Sequence, residues 1–357
     1  MNVDQFDFEL PDSAIALRPA RPRDSAKLLQ VSGGALSDHI VRGLPDLLRA
    51  GDVLVLNDTK VLPAALSAVR PARAHGGGGD VTIAINLHQR LSDTEWRAFV
   101  RPAKRLRQGD RIFLSDLLSA EVLDKKEGGD VALRFSRGGD ALDAEIEAHG
   151  HPPLPPYIGR QRAPDARDKD DYQTVYAQDK GSVAAPTAGL HFTPELLRAL
   201  SDKGVIMTAL TLHVGAGTFL PVKSETTDDH VMHSEWFTIS DETAKIVNQA
   251  KNEGRRIVAV GTTALRALES AAAQTRGVGH GLLPQSRDTD IFITPGYEFK
   301  IVDGLMTNFH LPRSTLFMLV SALAGTETMQ MAYGYALENG YRFYSYGDSS
   351  LLWNADI

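Results

Sequence analysis

Gly181-Ser-Val-Ala-Ala-Pro-Thr-Ala-Gly-Leu-His191-Phe192, continuing into Thr193-Pro194-Glu195, is the stretch on which the reading of the chain turns. Val183-Ala-Ala suits the end of a short buried strand, and Pro186 and Gly189 stop it. Thr193 then suits a helix cap, Pro194 the first helical turn, and Glu195 the positive end of the helix dipole. A strand that turns through small residues into a helix belongs to an α/β protein, and such junctions commonly hold ligands. Thr187 and His191 sit among residues of little bulk, which reads as a site loop; a tight turn around a core histidine fits the same residues.

Working outward, helix and strand signals alternate after this point. Helices are expected to begin at Thr193, Ser240, Thr262, Ser314 and Thr326, with glycine stops at Gly204, Gly254, Gly325 and Gly340. Strands are expected at 205–212, 257–261, 290–294 and, as the last one, 341–345. Residues 1–60 share this texture: Leu28-Leu-Gln-Val, a turn at Gly33-Gly34, a short helix from Leu44, and a buried strand at 52–56 ending in Asn57-Asp58-Thr59. Residues 64–154 differ. Short strand patterns at 81–88, 96–100, 111–114, 120–123 and 131–135 alternate with glycine turns at Gly76–Gly79, Gly109, Gly128-Gly129 and Gly138-Gly139, the pattern of a small β-barrel or sandwich. The proline-rich run 151–157 marks a stiff crossing. The expected organisation is a main α/β domain of residues 1–63 and 155–357, interrupted by an all-β domain at 64–154.

At 357 residues with 43% hydrophobic content, the chain has material for two cores. The absence of cysteine excludes disulfides, thiolate nucleophiles and cysteine-held zinc or iron–sulfur clusters. The acidic start Met1-Asn-Val-Asp has no basic leader or apolar run, and nothing approaches a membrane span, so a cytoplasmic location is expected. A formal net charge of -7 argues against indiscriminate coating of nucleic acid. Within that acidic chain, Arg101, Lys104, Arg105 and Arg107 put four cations in seven residues, either a solvated face or a phosphate-backbone contact.

Several stretches carry groups suited to chemistry. Leu212-His213-Val-Gly215-Ala-Gly217-Thr218-Phe219 follows a strand, but Pro221 precludes the helix that a dinucleotide loop needs. His230 and His233 have a metal-compatible spacing without a third ligand nearby, so no metal is expected. Glu235 beside Trp236 suits either an arginine partner or a cationic ligand. Gly261-Thr262-Thr263 opens a helix whose free amides suit a carboxylate, while Arg266 and Glu269, one turn apart, suit a surface pair. Tyr297, and then Asn308, His310, Arg313, Ser314 and Thr315, place further polar groups ahead of another helix; His310 suits a cap, a core position or a proton carrier.

Taken together, Ala184-Ala-Pro-Thr-Ala-Gly-Leu-His-Phe, Leu212-His-Val-Gly-Ala-Gly-Thr-Phe, His233-Ser-Glu-Trp, Val260-Gly-Thr-Thr, Pro295-Gly-Tyr-Glu-Phe and Thr307-Asn-Phe-His-Leu-Pro-Arg-Ser-Thr resemble the S-adenosylmethionine:tRNA ribosyltransferase-isomerase family. The resemblance runs from Leu56-Asn-Asp-Thr to Tyr344-Ser-Tyr-Gly-Asp. Gly159 and Arg313 stand where that family often has lysine, and Tyr335 where it often has histidine. The resemblance implies an α/β, barrel-like main domain interrupted by an inserted all-β barrel that touches tRNA.

It also implies a reaction. The ribosyl part of S-adenosylmethionine moves to the aminomethyl group of 7-aminomethyl-7-deazaguanine at the tRNA wobble position and isomerises. Epoxyqueuosine tRNA forms, adenine and methionine leave, and S-adenosylmethionine is a co-substrate with no further cofactor. On this footing His191, His213, Glu235 and His310 are the expected catalytic groups, with His191 or His213 moving the proton and Glu235 near the sulfonium. Asn57, Asp58, Thr59, Thr187, Gly215, Gly217, Thr218, Thr262, Thr263, Arg266, Tyr297, Asn308, Arg313, Ser314 and Thr315 are expected to bind substrate. Arg101, Lys104, Arg105, Arg107 and Arg160 are expected to hold a splayed anticodon loop, and the chain is expected to act as a monomer. An RNA methyltransferase and a non-catalytic tRNA-binding module are the rival classes.

Overall fold

A computed structural model describes residues 1–73, 79–215, 222, 224–273 and 281–355. The chain forms two compact units, one of Met1–Lys60, Gln173–Asp179 and Ala185–Ile357, the other of Val61–Tyr172 and Lys180–Ala184.

The first unit is built on a nine-stranded mixed sheet. In chain order its strands are β1 (Lys27–Ser32), β2 (Ala35–Ile40), β3 (Val53–Asn57), β4 (Ile206–Leu212), β5 (Glu235–Ile239), β6 (Ile257–Val260), β7 (Gln285–Thr289), β8 (Gly304–Asn308) and β9 (Ser349–Trp353). Across the sheet they run β7-β5-β4-β3-β6-β8-β9-β1-β2. β4, β3, β6 and β8 are mutually parallel neighbours, so their C-terminal ends open on one edge. Every residue of β3, β6 and β8 is buried, as expected of central strands covered on both faces. Gly33 and Gly34 both take positive φ and close the β1–β2 hairpin, the backbone that a two-residue turn between twisted strands requires.

The unit also holds the single helical turn Leu44–Leu47 and the longer helices α1 (Pro194–Asp202), α2 (Asp241–Asn252), α3 (Thr262–Ala273), α4 (Thr315–Ala324) and α5 (Thr326–Glu338). The hydroxyls of Thr193, Ser240 and Ser314 accept from the third residue beyond, at 3.2, 3.1 and 3.1 Å, and so start α1, α2 and α4. Leu28, Leu54, Leu56, Phe192, Leu196, Leu200, Val258 and Met306 join one core cluster.

Three local expectations are corrected. The strand expected at 290–294 lies earlier, at Gln285–Thr289: as an edge strand it pairs only with β5 and can be polar, whereas the apolar Ile291 and Ile293 fall in the turn that follows. The last strand is Ser349–Trp353, and the aromatic run 341–345 folds instead into a loop clamped by Arg342 and Asp348. Thr326 is the first residue of α5 and makes no cap; Gly325 stands at the cap position. Among the described residues the main sheet has two edge strands, β7 and β2, and the closed barrel is in the second unit.

That barrel has six antiparallel strands, Ala65–Arg70, Val81–Arg90, Glu95–Arg101, Arg111–Phe113, Ser119–Lys125 and Asp130–Phe135. Alternation puts Ile83, Ile85, Leu87, Trp96, Ala98 and Val100 inside it. A helix, Gly139–His149, follows and buries Leu142 and Ile146, an element the glycine pair at its start disguised as a turn. Gly76 to Gly78 of the expected hairpin tip lie outside the described residues.

Candidate functional site

The polar groups singled out in the sequence converge on the open ends of the parallel strands. Asn57 ends β3, His213 follows β4, Gly261-Thr262-Thr263 follow β6, and Asn308 ends β8. This is the edge where open α/β sheets bind ligands, because the strand ends and helix starts leave backbone groups unspent.

Asn57, fully buried, staples three of these ends together. Its amide nitrogen donates to Leu212 O (3.0 Å) and to the Thr263 hydroxyl (3.1 Å), and its carbonyl accepts from Leu212 N (3.0 Å) and Thr59 N (3.2 Å). Since the Thr263 oxygen accepts from Asn57, its own proton is left to donate.

The turn Thr187–His191 lies against β8. Thr187 donates to Asn308 Oδ1 (3.0 Å), and Asn308 Nδ2 donates to His191 Nε2 (3.2 Å). His191 is therefore a neutral acceptor at that nitrogen. Burial brings its pKa down to about 4, against an opposing pull from Asp348. The loop is thus both a tight turn with a buried histidine and a wall of the site. Gly189 is required there because a Cβ would strike the Tyr176 hydroxyl. His310 contacts Thr307 Oγ1 through Nε2 (3.2 Å), its backbone N–H donates to the Tyr333 hydroxyl (2.9 Å), and burial takes its pKa to about 3.

A cleft open to solvent is lined by Ala185 to Ala188, Val214, Gly261 to Thr263, Thr307 to His310, Leu316, Tyr344 and Ser345. It gathers Thr187, Thr262, Thr263, Asn308 and His310 from the sequence-derived set; His191 and Asn57 reach it through Asn308 and Thr263.

The other described candidates are placed outside that lining. Beside it, Thr59 Oγ1 meets His213 Nδ1 at 2.8 Å, and the His213 ring stacks on Trp236 with centroids 5.1 Å apart. Burial lowers the His213 pKa, and the Asp179 carboxylate acts against that. Asp58 Oδ1 and Asp179 Oδ2 both approach the Thr211 hydroxyl, at 2.7 and 2.9 Å, and burial pushes the Asp58 pKa up. Glu235 is buried in an ion pair with Arg266 and accepts from Gly215 N at 3.0 Å, so the arginine reading holds for it. The surface pairing expected of Arg266 and Glu269 is corrected accordingly. Glu269 is fully buried and accepts from the backbone amides of Lys300, Ile301 and Val302, each at 2.9 Å, and from the Tyr297 hydroxyl at 3.1 Å. Arg313 pairs with Asp4, Ser314 caps α4, and Thr315 is its first residue. Gly217 and Thr218 lie outside the described residues.

In the barrel unit, Arg101, Lys104, Arg105, Arg107 and Arg160 are all exposed. His230 packs edge-on against Phe292 (5.3 Å), and the described residues hold no group of three potential metal ligands. Sequence reading missed Tyr344 and Ser345, hidden in a run that looked like a strand. It also missed Asp179 and Thr211, whose partners lie more than 30 residues away.

A cleft that sets polar groups among apolar neighbours beyond the ends of the parallel strands β4, β6 and β8, in a chain that carries a separate β-barrel, places the protein among α/β enzymes whose chemistry is grafted on strand ends. The family profile described as queuosine biosynthesis protein matches residues 3–352, and the chain belongs to that family. It is 62% identical over 353 residues to the S-adenosylmethionine:tRNA ribosyltransferase-isomerase of Maricaulis maris, covering 99% of each chain. It is 57% identical over 368 residues to the enzyme of that name from Mesorhizobium japonicum, covering 100% of this chain and 99% of the relative. The crystal structure of S-adenosylmethionine tRNA ribosyltransferase from Thermotoga maritima matches with a TM-score of 0.55 at 34% identity, over 98% of this chain and 99% of that one.

Proposed function

We infer that this chain transfers and isomerises the ribosyl part of S-adenosylmethionine onto 7-aminomethyl-7-deazaguanine at the wobble position of tRNA, giving epoxyqueuosine tRNA, adenine and methionine. The observation that carries this reading is the 62% identity over 99% of the chain to a relative of that name. Supporting it, separate motifs meet in one cleft.

The sulfonium makes the ribose C5′ hydrogen acidic, so a placed base opens the reaction and a donor assists adenine as it leaves. His213 suits the proton-transfer role: Thr59 takes Nδ1, and the ring is only partly buried. His191 and His310, neutral and enclosed, suit hydrogen bonding more than titration. The start of α3 at Thr262-Thr263 suits the methionine carboxylate. Glu235, with its charge spent on Arg266, serves by holding the Gly215 backbone and not by facing the sulfonium. Arg101, Lys104, Arg105, Arg107 and Arg160 grip tRNA phosphates, and the chain acts as a cytoplasmic monomer without metal.

S-adenosylmethionine labelled separately in ribose and methyl, incubated with tRNA bearing the aminomethyl base, tests the reading. Ribose label in tRNA with free adenine and methionine is expected; methyl label in tRNA would establish a methyltransferase instead.

A further inference from the structure

Tyr344 has φ 75°, in the left-handed region that a bulky aromatic residue rarely enters. The surrounding loop holds it there. Arg342 N donates to Asp348 Oδ2 and Asp348 N to Arg342 O, each at 2.8 Å, while the Arg342 guanidinium reaches Asp348 Oδ1 at 2.8 Å. Within that clamp Tyr344 N donates to Phe309 O (3.0 Å) and Gly347 N to Tyr344 O (2.8 Å). A Cβ at Gly347 would run into the Arg342 carbonyl, so the turn cannot relax around a larger residue. Strained backbone that is fixed so thoroughly is typical of residues held for a purpose at a site.

What the strain achieves is visible in the cleft. Its lining includes two aromatic residues, Phe309 and Tyr344. Phe309 is fully buried in a cluster with Tyr333, Tyr341 and Phe343, so it has no face to offer. Tyr344 keeps part of its surface exposed. Ala185, Ala188 and Gly261 supply small neighbours, and Gly261 (φ 87°) could not carry a side chain without strain. A slot with one partly exposed tyrosine ring, apolar walls from Val214 and Leu316, and the hydroxyls of Thr187, Thr262 and Thr263 fits a flat heteroaromatic base, which stacks on the ring while its edge meets the hydroxyls.

The geometry points to Tyr344 as the stacking residue for a planar base in this cleft. The inference rests on the ribosyl-transfer reading, in which two such bases are present, the adenine of S-adenosylmethionine and the deazaguanine of tRNA.

Tyr344→Asn and Tyr344→Phe distinguish the outcomes. Asparagine tolerates the left-handed region and removes the ring, and phenylalanine keeps the ring without the hydroxyl. S-adenosylmethionine binding is measured by calorimetry, and KM is measured for the modified tRNA. Tyr344→Asn, folded with a thermal midpoint near wild type, is expected to lose about tenfold in one of the two, with Tyr344→Phe close to wild type. Loss toward S-adenosylmethionine assigns the slot to adenine, and loss toward tRNA assigns it to the wobble base. Unchanged values for both in Tyr344→Asn, or equal losses in the Phe and Asn variants, would overturn the assignment. The ribosyl-transfer reading stands or falls separately, on the label that wild-type protein delivers.

Discussion

Asn308 joins Thr187 to His191, accepting from the threonine hydroxyl at 3.0 Å and donating to the ring nitrogen at 3.2 Å. One amide thus fixes the turn Thr187–His191 against the end of β8 and holds His191 as an acceptor. Asn308→Asp exchanges that donor for an acceptor and adds a charge, so His191 should take up a proton at higher pH. Adenine release is expected to fall by about a hundredfold, the scale of loss when a group that positions the site shifts by about 1 Å. NMR titration of the His191 ring in the folded variant checks the cause.

Acid should weaken the fold through its buried histidines. His191 and His310 titrate at about 4 and about 3, below the value of about 6.5 expected in the unfolded chain. The unfolded state therefore binds their protons first. Their contribution is complete above about pH 6.5 and is lost as pH falls toward those folded values, at up to about 1.4 kcal/mol per pH unit for each. Thermal midpoints recorded against pH should show this decline, and His310→Gln should make it shallower.

The acid limb of kcat/KM should lie below the ordinary histidine range, because burial lowers the pKa of His213 and the base form persists to lower pH. Asp179 works against that shift. Asp179→Asn should accordingly move the limb to still lower pH, while an unmoved limb would exclude His213 as the titrating group.

Glu235 and Arg266 are a buried ion pair, each side chain 4% exposed. Removing one member strands the other charge, at a cost of about 3–5 kcal/mol. Glu235→Ala should show that loss in urea melts. The double change Glu235→Ala with Arg266→Met should be markedly milder than the sum of the two single changes.

Neutralising Arg101, Lys104, Arg105 and Arg107 together should flatten the salt dependence of tRNA binding. If each meets one phosphate, the slope of log K against log salt should fall by about 3 in all. The same slope in both proteins would place the RNA elsewhere.

Much of this site was legible because short-range chemistry announces itself. Thr193, Ser240 and Ser314 cap helices as their spacing implies, Asn57 and Asn308 stand at strand ends flagged by a change from apolar to polar residues, and Thr263 stands in the first turn of α3. Partnerships across the sheet were not legible. Nothing local tells Arg266 to ignore Glu269, one helical turn away, for Glu235 on the strand β5, or tells Glu269 to collect three backbone amides. Periodicity also misled at 341–345, where alternating aromatics serve a clamped loop, and at 285–289, where a polar edge strand carries no apolar signature.

Asp58 O accepts from Gln178 N at 2.7 Å and from Asp179 N at 3.3 Å, so the backbone that departs after Lys60 is again beside its point of departure at residue 178. The intervening hundred or so residues are, for the main sheet, an excursion with a common doorway. The chain leaves by the same doorway once more, for Lys180–Ala184, before it resumes at Ala185. The chain is in this sense assembled like a cassette and its holder, laced together by more than one pass of backbone.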